Sequence, residues 1–142
     1  MPSEVDGPDA EHCDAPNLLF EACPSRQALD LVANKWAVFT LYAVGAGISR
    51  HGEMHRQIEG VTRKMLTQTL RDLERSGLVH RELFDEKPPR VEYTLTDLGR
   101  SLLEIVQRLC DWAVPNMPAV AAARATFDAR TQPAAPWVLT TV

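Results

Sequence analysis

The 142-residue chain is long enough for one domain with a single hydrophobic core and terminal extensions. Hydrophobic residues make up 45% and charged residues 24% of the chain, which is typical of a globular protein and argues against a chain too polar to fold. No apolar run reaches the roughly 18–20 residues of a membrane-spanning helix and no secretory pattern is visible, so we predict a cytoplasmic protein without a membrane partner.

The net charge of −4 is distributed unevenly. Residues 1–30 contain seven acidic side chains against Arg26 alone, whereas residues 50–95 contain nine Lys or Arg, eight Asp or Glu and three His. Proteins that bind a polyanion such as DNA take much of their affinity from neutralising phosphates. Because residues 50–95 have almost no excess of cations, a basic surface there would require the cations to cluster on one side. Residues 1–16 are acidic, polar and rich in proline, and we predict a disordered tail.

Two helices are predicted after this tail. The first begins at Pro24, because proline is favoured at the first helical position, and this makes Cys23 the N-cap. The second, about residues 37–44, is apolar on nearly every side and is therefore predicted to be buried. The apolar face of the first helix is predicted to comprise Ala28, Leu29, Val32 and Trp36.

Residues 51–77 have the pattern of a helix-turn-helix. A short helix at about residues 51–58, with Met54 and Ile58 inward, is followed by a glycine-containing turn at residues 59–61. The next helix, the predicted reading helix, begins at the N-cap Thr62 and ends at Gly77. Leu66, Leu70 and Leu73 form its inner face, with Met65 also assigned to the core, and the outer face presents Lys64, Thr67, Gln68 and Arg71.

Cations occupy the first turn of the reading helix, where the helix dipole disfavours them. Arg63 and Lys64 each cost about 0.3–1 kcal/mol there, and a bound polyanion would explain that cost. The alternative is an ordinary amphipathic helix with a solvated charged face. Downstream residues favour the polyanion, since residues 78–84 and 90–95 resemble two strands of a hairpin, the second with clean alternation. The polar, proline-containing tip of this hairpin would project as a wing. Helix, turn, reading helix and wing in this order predict a winged helix-turn-helix.

A long helix is predicted from Asp97 to about residue 113, capped by Thr96. We expect Pro115 to stop it and Pro118 to start an alanine-rich helix through about residue 130. One small core cannot cover the apolar stripe of the long helix, so a partner subunit is the expected recipient. The stripe comprises Leu98, Leu102, Ile105, Val106, Leu109 and Trp112.

These motifs resemble the HxlR-type winged-helix transcription regulators, which are relatives of the MarR group. The resemblance covers about residues 23–113 and rests on the reading-helix and wing segments at residues 60–79 and 88–96, together with the Cys-Pro, Lys-Trp and Trp-Ala pairs near its ends. His51 and Glu59 depart from the family's usual aromatic residue and proline. The resemblance implies a mainly α fold with a small β-wing, and a homodimer formed through the first and last helices.

Composition and the resemblance together give the predicted domain bounds and partners. We predict an acidic tail at residues 1–16, the winged-helix DNA-binding and dimerisation domain at residues 17–113, and a C-terminal helix and tail at residues 114–142, where Trp137 has no assigned role. The expected partners are double-stranded DNA with a near-palindromic operator, a second copy of the chain and a small-molecule effector. Repression and activation stay open. A winged-helix module for protein or ligand binding without DNA is the alternative function.

Seven side chains are predicted to contact DNA: Arg63, Lys64, Thr67, Gln68, Arg71, Lys87 and Arg90. Arg or Lys reads guanine edges and Gln reads adenine, so the outer face of the reading helix is assigned to the major groove. Arg63 and Arg90 are assigned to phosphates or the minor groove. Solvated helix surface is the alternative for the whole set.

Cys23 and the histidine pair His51 and His55 have two interpretations each. The helix N-terminus and Arg26 favour a reactive Cys23 thiolate whereas Glu21 and burial disfavour it, so a redox sensor resolved by Cys13 competes with simple packing. Cys110 is assigned to packing. His51 and His55 have the i, i+4 spacing of metal ligands but lack a third ligand, which favours solvated or phosphate-contacting roles. No catalytic constellation or cofactor motif is present, so we predict a protein that is not an enzyme and has no cofactor.

Overall fold

The computed structural model describes residues 18–131. The predicted tail at residues 1–16, Cys13 within it, and Trp137 lie outside this range. Within it the order of elements confirms the mainly α class with a two-stranded antiparallel hairpin. The elements are α1 (Pro24–Ala33), α2 (Lys35–Gly45), α3 (His51–Gln57), α4 (Arg63–Arg75), β1 (Val79–Phe84), β2 (Arg90–Leu95) and α5 (Asp97–Thr131).

The chain divides into two compact units, Met1–Leu103 and Glu104–Val142, and the boundary falls within α5. The first unit contains the helix-turn-helix and the hairpin, and the second contains α5 from Glu104 onward. No helix of residues 18–131 combines the length and apolarity that crossing a bilayer requires. The predicted domain bounds at residues 17–113 and 114–142 stay predictions.

Helix α2 forms the centre of the first unit, as its apolar sequence predicts. Leu41 and Thr40 are fully buried, and Ala43 and Val44 nearly so. The reading helix α4 and strand β2 of the wing both pack against α2. Burying a leucine side chain stabilises the fold by about 1.5–3 kcal/mol, which makes α2 a major source of the stability that holds α4 in place.

Trp36 belongs to α2, and its assignment to the first helix was wrong. The chain leaves the helical conformation at Asn34, whose side-chain oxygen accepts hydrogen bonds from the backbone nitrogens of Trp36 (3.1 Å) and Ala37 (3.4 Å). Such a cap satisfies amides that a helix start leaves unpaired, so it separates α1 from α2. None of the ten residues of α1 is buried, and Leu29 and Leu31 are exposed.

The prediction that Pro115 ends the last helix was also wrong, because α5 continues through both Pro115 and Pro118 to Thr131. Proline has a helix-compatible φ, and its cost is a lost backbone hydrogen bond and a clash with the preceding turn. Here the Asn116 side chain donates a hydrogen bond of 2.7 Å to the Trp112 carbonyl, which supplies a bond within the affected turn. The alanine-rich segment that follows has high helix propensity and favours continuation.

Residues at the base of the hairpin join α4, β2 and α5. The Thr96 hydroxyl donates to the Gly77 carbonyl (2.6 Å) and accepts from the Gly99 amide (3.0 Å), which confirms Thr96 as the cap of α5. Gly99 lies so close to the Leu78 carbonyl that a Cβ there would overlap this oxygen. The start of α5 therefore fixes where the reading helix ends and the wing begins.

Candidate nucleic-acid interface

Helices α3 and α4 form the predicted helix-turn-helix. The turn between them contains Gly60 with φ of +84°, a conformation that glycine adopts without strain, and buried Val61 follows. Thr62 then caps α4, because its hydroxyl oxygen accepts a hydrogen bond of 3.1 Å from the Met65 amide. Met54 and Ile58 of the α3 region are buried, as predicted, and pack α3 toward the core.

One face of α4 is anchored in the core. Leu66 is fully buried, and Leu70, Leu73 and Thr69 are nearly so. The Thr69 hydroxyl donates to the Met65 carbonyl (2.8 Å), which satisfies its polar group inside the protein. Met65 itself is 44% exposed, so its assignment to the core was wrong.

The C-terminal end of α4 is fixed by the predicted glycine cap. Gly77 has φ of +73°, and the Leu78 amide donates to the Leu73 carbonyl at 2.9 Å. The Gly77 amide donates to the Glu74 carbonyl at 3.0 Å, completing the paired hydrogen bonds of a Schellman motif. Both ends of α4 are therefore held by specific caps, and the helix presents its outer face in a defined orientation.

The exposed face of α4 carries the predicted cations. The side chains of Lys64 and Arg71 are exposed and form no ion pair or hydrogen bond within residues 18–131. Gln68 lies between them and donates a hydrogen bond of 3.0 Å to Asp72. Arg75 continues the same face, since positions 64, 68, 71 and 75 follow the helical repeat. Arg75 was not among the predicted contacts, although its spacing already indicated it.

Thr67 is exposed, but its hydroxyl already has two partners. It donates to the Arg63 carbonyl (2.9 Å), and its oxygen lies 2.9 Å from Nε2 of His51. In the tautomer that carries its hydrogen on Nε2, the histidine donates to this oxygen while the hydroxyl donates to Arg63. Thr67 therefore links α3 to the first turn of α4, where the exposed Arg63 side chain lies.

The two predicted wing cations differ in their surroundings. Lys87 is exposed at the tip and forms no ion pair within the described residues. Arg90 is half-buried, its guanidinium carbon 4.3 Å from the centre of the Phe84 ring. Its nitrogens lie 3.3 Å from a Glu86 oxygen and 3.5 Å from a Glu92 oxygen. Lys87 is therefore presented to solvent, whereas Arg90 is engaged within the hairpin.

Cys23 occupies the predicted N-cap position of α1, directly before Pro24, and is 2% exposed. Its side chain accepts no capping hydrogen bond. Cys110 is exposed, so its assignment to packing fails within this chain. Among residues 18–131 no group of three or more His, Cys, Asp or Glu is arranged to hold a metal ion.

Comparison with known proteins agrees with this geometry. The family described as HxlR-like helix-turn-helix matches residues 31–121, more than half of the chain. YtfH of Escherichia coli strain K12, an HTH-type transcriptional regulator, is 44% identical over 108 residues, which are 76% of this chain and 86% of YtfH.

Solved structures give the same result. YtfH from Salmonella typhimurium, titled a transcriptional regulator, is 39% identical with a TM-score of 0.67, covering 78% of this chain and 99% of that one. The reduced form of HypR, titled a redox regulator, is 36% identical with a TM-score of 0.65, covering 70% of this chain and 98% of that one. The chain therefore belongs to the HxlR-like helix-turn-helix family, whose members are transcriptional regulators rather than enzymes.

Proposed function

We propose that this chain binds double-stranded DNA in a sequence-specific manner as a homodimer, with α4 as its reading helix. The observation that carries the proposal is the division of α4 into two faces. Leucines hold one face in the core, and Lys64, Gln68 and Arg71 occupy the opposite, exposed face. A helix anchored in this way can enter the major groove without reorganising.

The chemistry of the exposed face suits base edges. Arg71 and Lys64 can donate to the guanine acceptors, and Gln68 can pair with adenine once its side chain leaves Asp72. Arg63 and Lys87 are proposed as phosphate contacts, and a contact of Arg90 with phosphate or the minor groove stays a prediction. A contact of Thr67 with DNA stays a prediction, and its hydroxyl also links α3 to the first turn of α4.

The local arrangement of charge supports an anionic ligand despite the net charge of −4. The first nine residues of α4, from Arg63 to Arg71, include three cations and no carboxylate. Asp72 and Glu74 are confined to the second half of the helix. The end of α4 expected to enter the groove is therefore basic, and the cations there approach phosphates without an intervening acid.

Selection of genomic DNA by the purified full chain tests this function. We expect recovered fragments to share a near-palindromic site with half-sites about 34–36 Å apart, because two reading helices related by a two-fold axis address successive major grooves. Recovery of random fragments, with affinity equal on all of them, would contradict sequence-specific binding.

The exposed apolar side chains of the second unit support the homodimer. Ile105, Leu109 and Trp112 are each more than half exposed on α5. We expect light scattering at micromolar concentration to give twice the chain mass of 15.8 kDa. Leu109→Glu should shift the equilibrium to monomer because it places a charge on this surface, whereas Gln107→Glu on the same helix should leave the dimer intact. A monomeric parent protein that still binds its operator would rule out the dimer.

We further propose that the regulator responds to oxidants or electrophiles through Cys23, which the similarity to the redox regulator HypR supports. Oxidation of a buried N-cap thiol would displace the start of α1 and lower DNA affinity. Mild peroxide should therefore weaken DNA binding by the parent protein, and a thiol reductant should restore it. Cys23→Ser should bind DNA normally and ignore the oxidant. If Cys110→Ser rather than Cys23→Ser abolishes the response, the sensor is the exposed thiol.

A further inference from the structure

The wing (residues 79–95) is not a simply basic surface. It carries four carboxylates against three cations, and a carboxylate near DNA is repelled by phosphates. These acidic side chains therefore lower DNA affinity unless they have another effect. The carboxylates are Glu82, Asp85, Glu86 and Glu92, and the cations are Arg81, Lys87 and Arg90.

Glu92 differs from the other wing carboxylates because it lies between two arginines from different parts of the fold. One oxygen of Glu92 lies 3.5 Å from Nε of Arg90 and 3.9 Å from Nε of Arg50. Arg50 is the residue that immediately precedes α3. The Glu92 and Arg90 side chains are 28% and 30% exposed, so water screens this pair less than it would at a fully exposed site, whereas the Arg50 side chain is 56% exposed.

A backbone hydrogen bond lies at the same junction. The Tyr93 amide, next to Glu92, donates to the Ser49 carbonyl, next to Arg50, at 2.8 Å. Arg90 in turn stacks on Phe84 of the opposite strand. Contacts from Glu92 and its neighbour thus reach the segment before α3, while those from Arg90 cross the hairpin.

We propose that Glu92 is a positioning residue that sets the wing against the helix-turn-helix. The proposal rests on the DNA-binding function proposed above. Glu92 holds Arg90 within the hairpin and Arg50 at the start of α3, so the angle of the wing is coupled to the helices that carry α4. Arg81 and Lys87, which are both exposed, are then the wing cations left to approach phosphate, and Arg90 helps to hold the wing.

The chain offers a matched control for this proposal. Glu82 is the cross-strand partner of Glu92 in the hairpin register, so the two carboxylates are directly opposite each other. Glu82 is exposed and forms no ion pair within residues 18–131. Glu82→Gln and Glu92→Gln therefore remove the same charge at nearly the same place, but only Glu92→Gln removes the two arginine contacts.

A pure charge effect and a positioning effect predict opposite changes in DNA affinity for Glu92→Gln. Loss of a negative charge alone should raise DNA affinity, whereas loss of the positioning contacts should lower it by about three- to five-fold, a size typical of partly exposed ion pairs. Glu82→Gln should bind DNA as tightly as the parent or more tightly. Glu92→Asp keeps the charge but shortens the reach to Arg50, and it should also weaken binding.

Titration of one selected DNA fragment with the parent protein and the three variants tests the proposal. Hydrogen exchange of the Tyr93 amide tests the contact between the wing and the segment before α3 in the absence of DNA. We expect this amide to exchange faster in Glu92→Gln than in the parent, while the amides of α2 exchange at unchanged rates. Equal or tighter binding by a folded Glu92→Gln protein, or an unchanged Tyr93 amide, would overturn the proposal. A parent protein that binds no DNA would instead remove the proposed function, and the Tyr93 amide would still decide whether Glu92 holds the wing.

Discussion

Replacement of Leu66 by alanine is expected to lower the free energy of unfolding by about 2–5 kcal/mol. Leu66 is 0% exposed and lies on the inner face of α4. Truncation would leave a cavity between the reading helix and the core. It would also remove the favourable free energy of transferring several methyl and methylene groups from water into the core. Denaturation by urea, followed by circular dichroism, measures the change.

Met65→Ala is the control for this prediction. Met65 is adjacent in sequence but 44% exposed, so truncation removes little buried surface and should change the free energy of unfolding by less than about 1 kcal/mol. Equal losses for Leu66→Ala and Met65→Ala would mean that α4 is not anchored by the leucine face. The orientation of its outer face would then lose its physical basis.

Arg71→Ala is expected to weaken binding to the selected DNA site by about 1–3 kcal/mol and to relax the preference at one base pair. The free energy of unfolding should be unaffected, because Arg71 is exposed and makes no ion pair within residues 18–131.

Arg63→Ala is expected to lower DNA affinity without changing sequence preference. Because Arg63 is proposed to contact a phosphate, its loss should weaken binding to all sequences alike. It should also reduce the slope of log affinity against log salt concentration by about one.

Arg124→Ala is the matched control, since it removes one exposed arginine from α5 in the second unit. Its affinity for the selected site should equal that of the parent at fixed salt. If Arg124→Ala and Arg71→Ala lose the same affinity, the effect of Arg71 is one of net charge. Arg71 would then have no role in reading bases.

The elements that carry the candidate interface could be predicted because their signals are local. Thr62 and Gly77 mark the ends of α4 through hydrogen bonds to residues within five positions. The leucine spacing then separates a buried from an exposed face. The wing followed from two strand-like segments around a polar link, predicted at residues 78–84 and 90–95. The first strand begins one residue later, at Val79, and the second has the predicted bounds.

The features that could not be predicted depend on contacts between residues distant in sequence, or on opposing effects of one residue on its own helix. Arg90 looked like an exposed wing cation, but Phe84, Glu86 and Glu92 surround its side chain once the hairpin forms. The contact between Thr67 and His51 joins residues sixteen positions apart, and no local sequence signal indicated it.

Two helix boundaries were mispredicted because local effects oppose each other there. Pro115 has opposing effects, a lost hydrogen bond against a helix-compatible φ, and the sequence alone does not weigh them. Asn34 was overlooked as a cap because the residues on both sides of it fit one continuous apolar face.

Whether α4 reads DNA is decided by comparing the parent protein with Lys64→Ala/Arg71→Ala on the selected fragment and on a shuffled fragment of equal length. We expect the parent to prefer the selected fragment. We expect the double variant, with an unchanged circular dichroism spectrum, to bind both fragments equally weakly. A folded double variant that keeps the preference of the parent would show that α4 does not read the sequence.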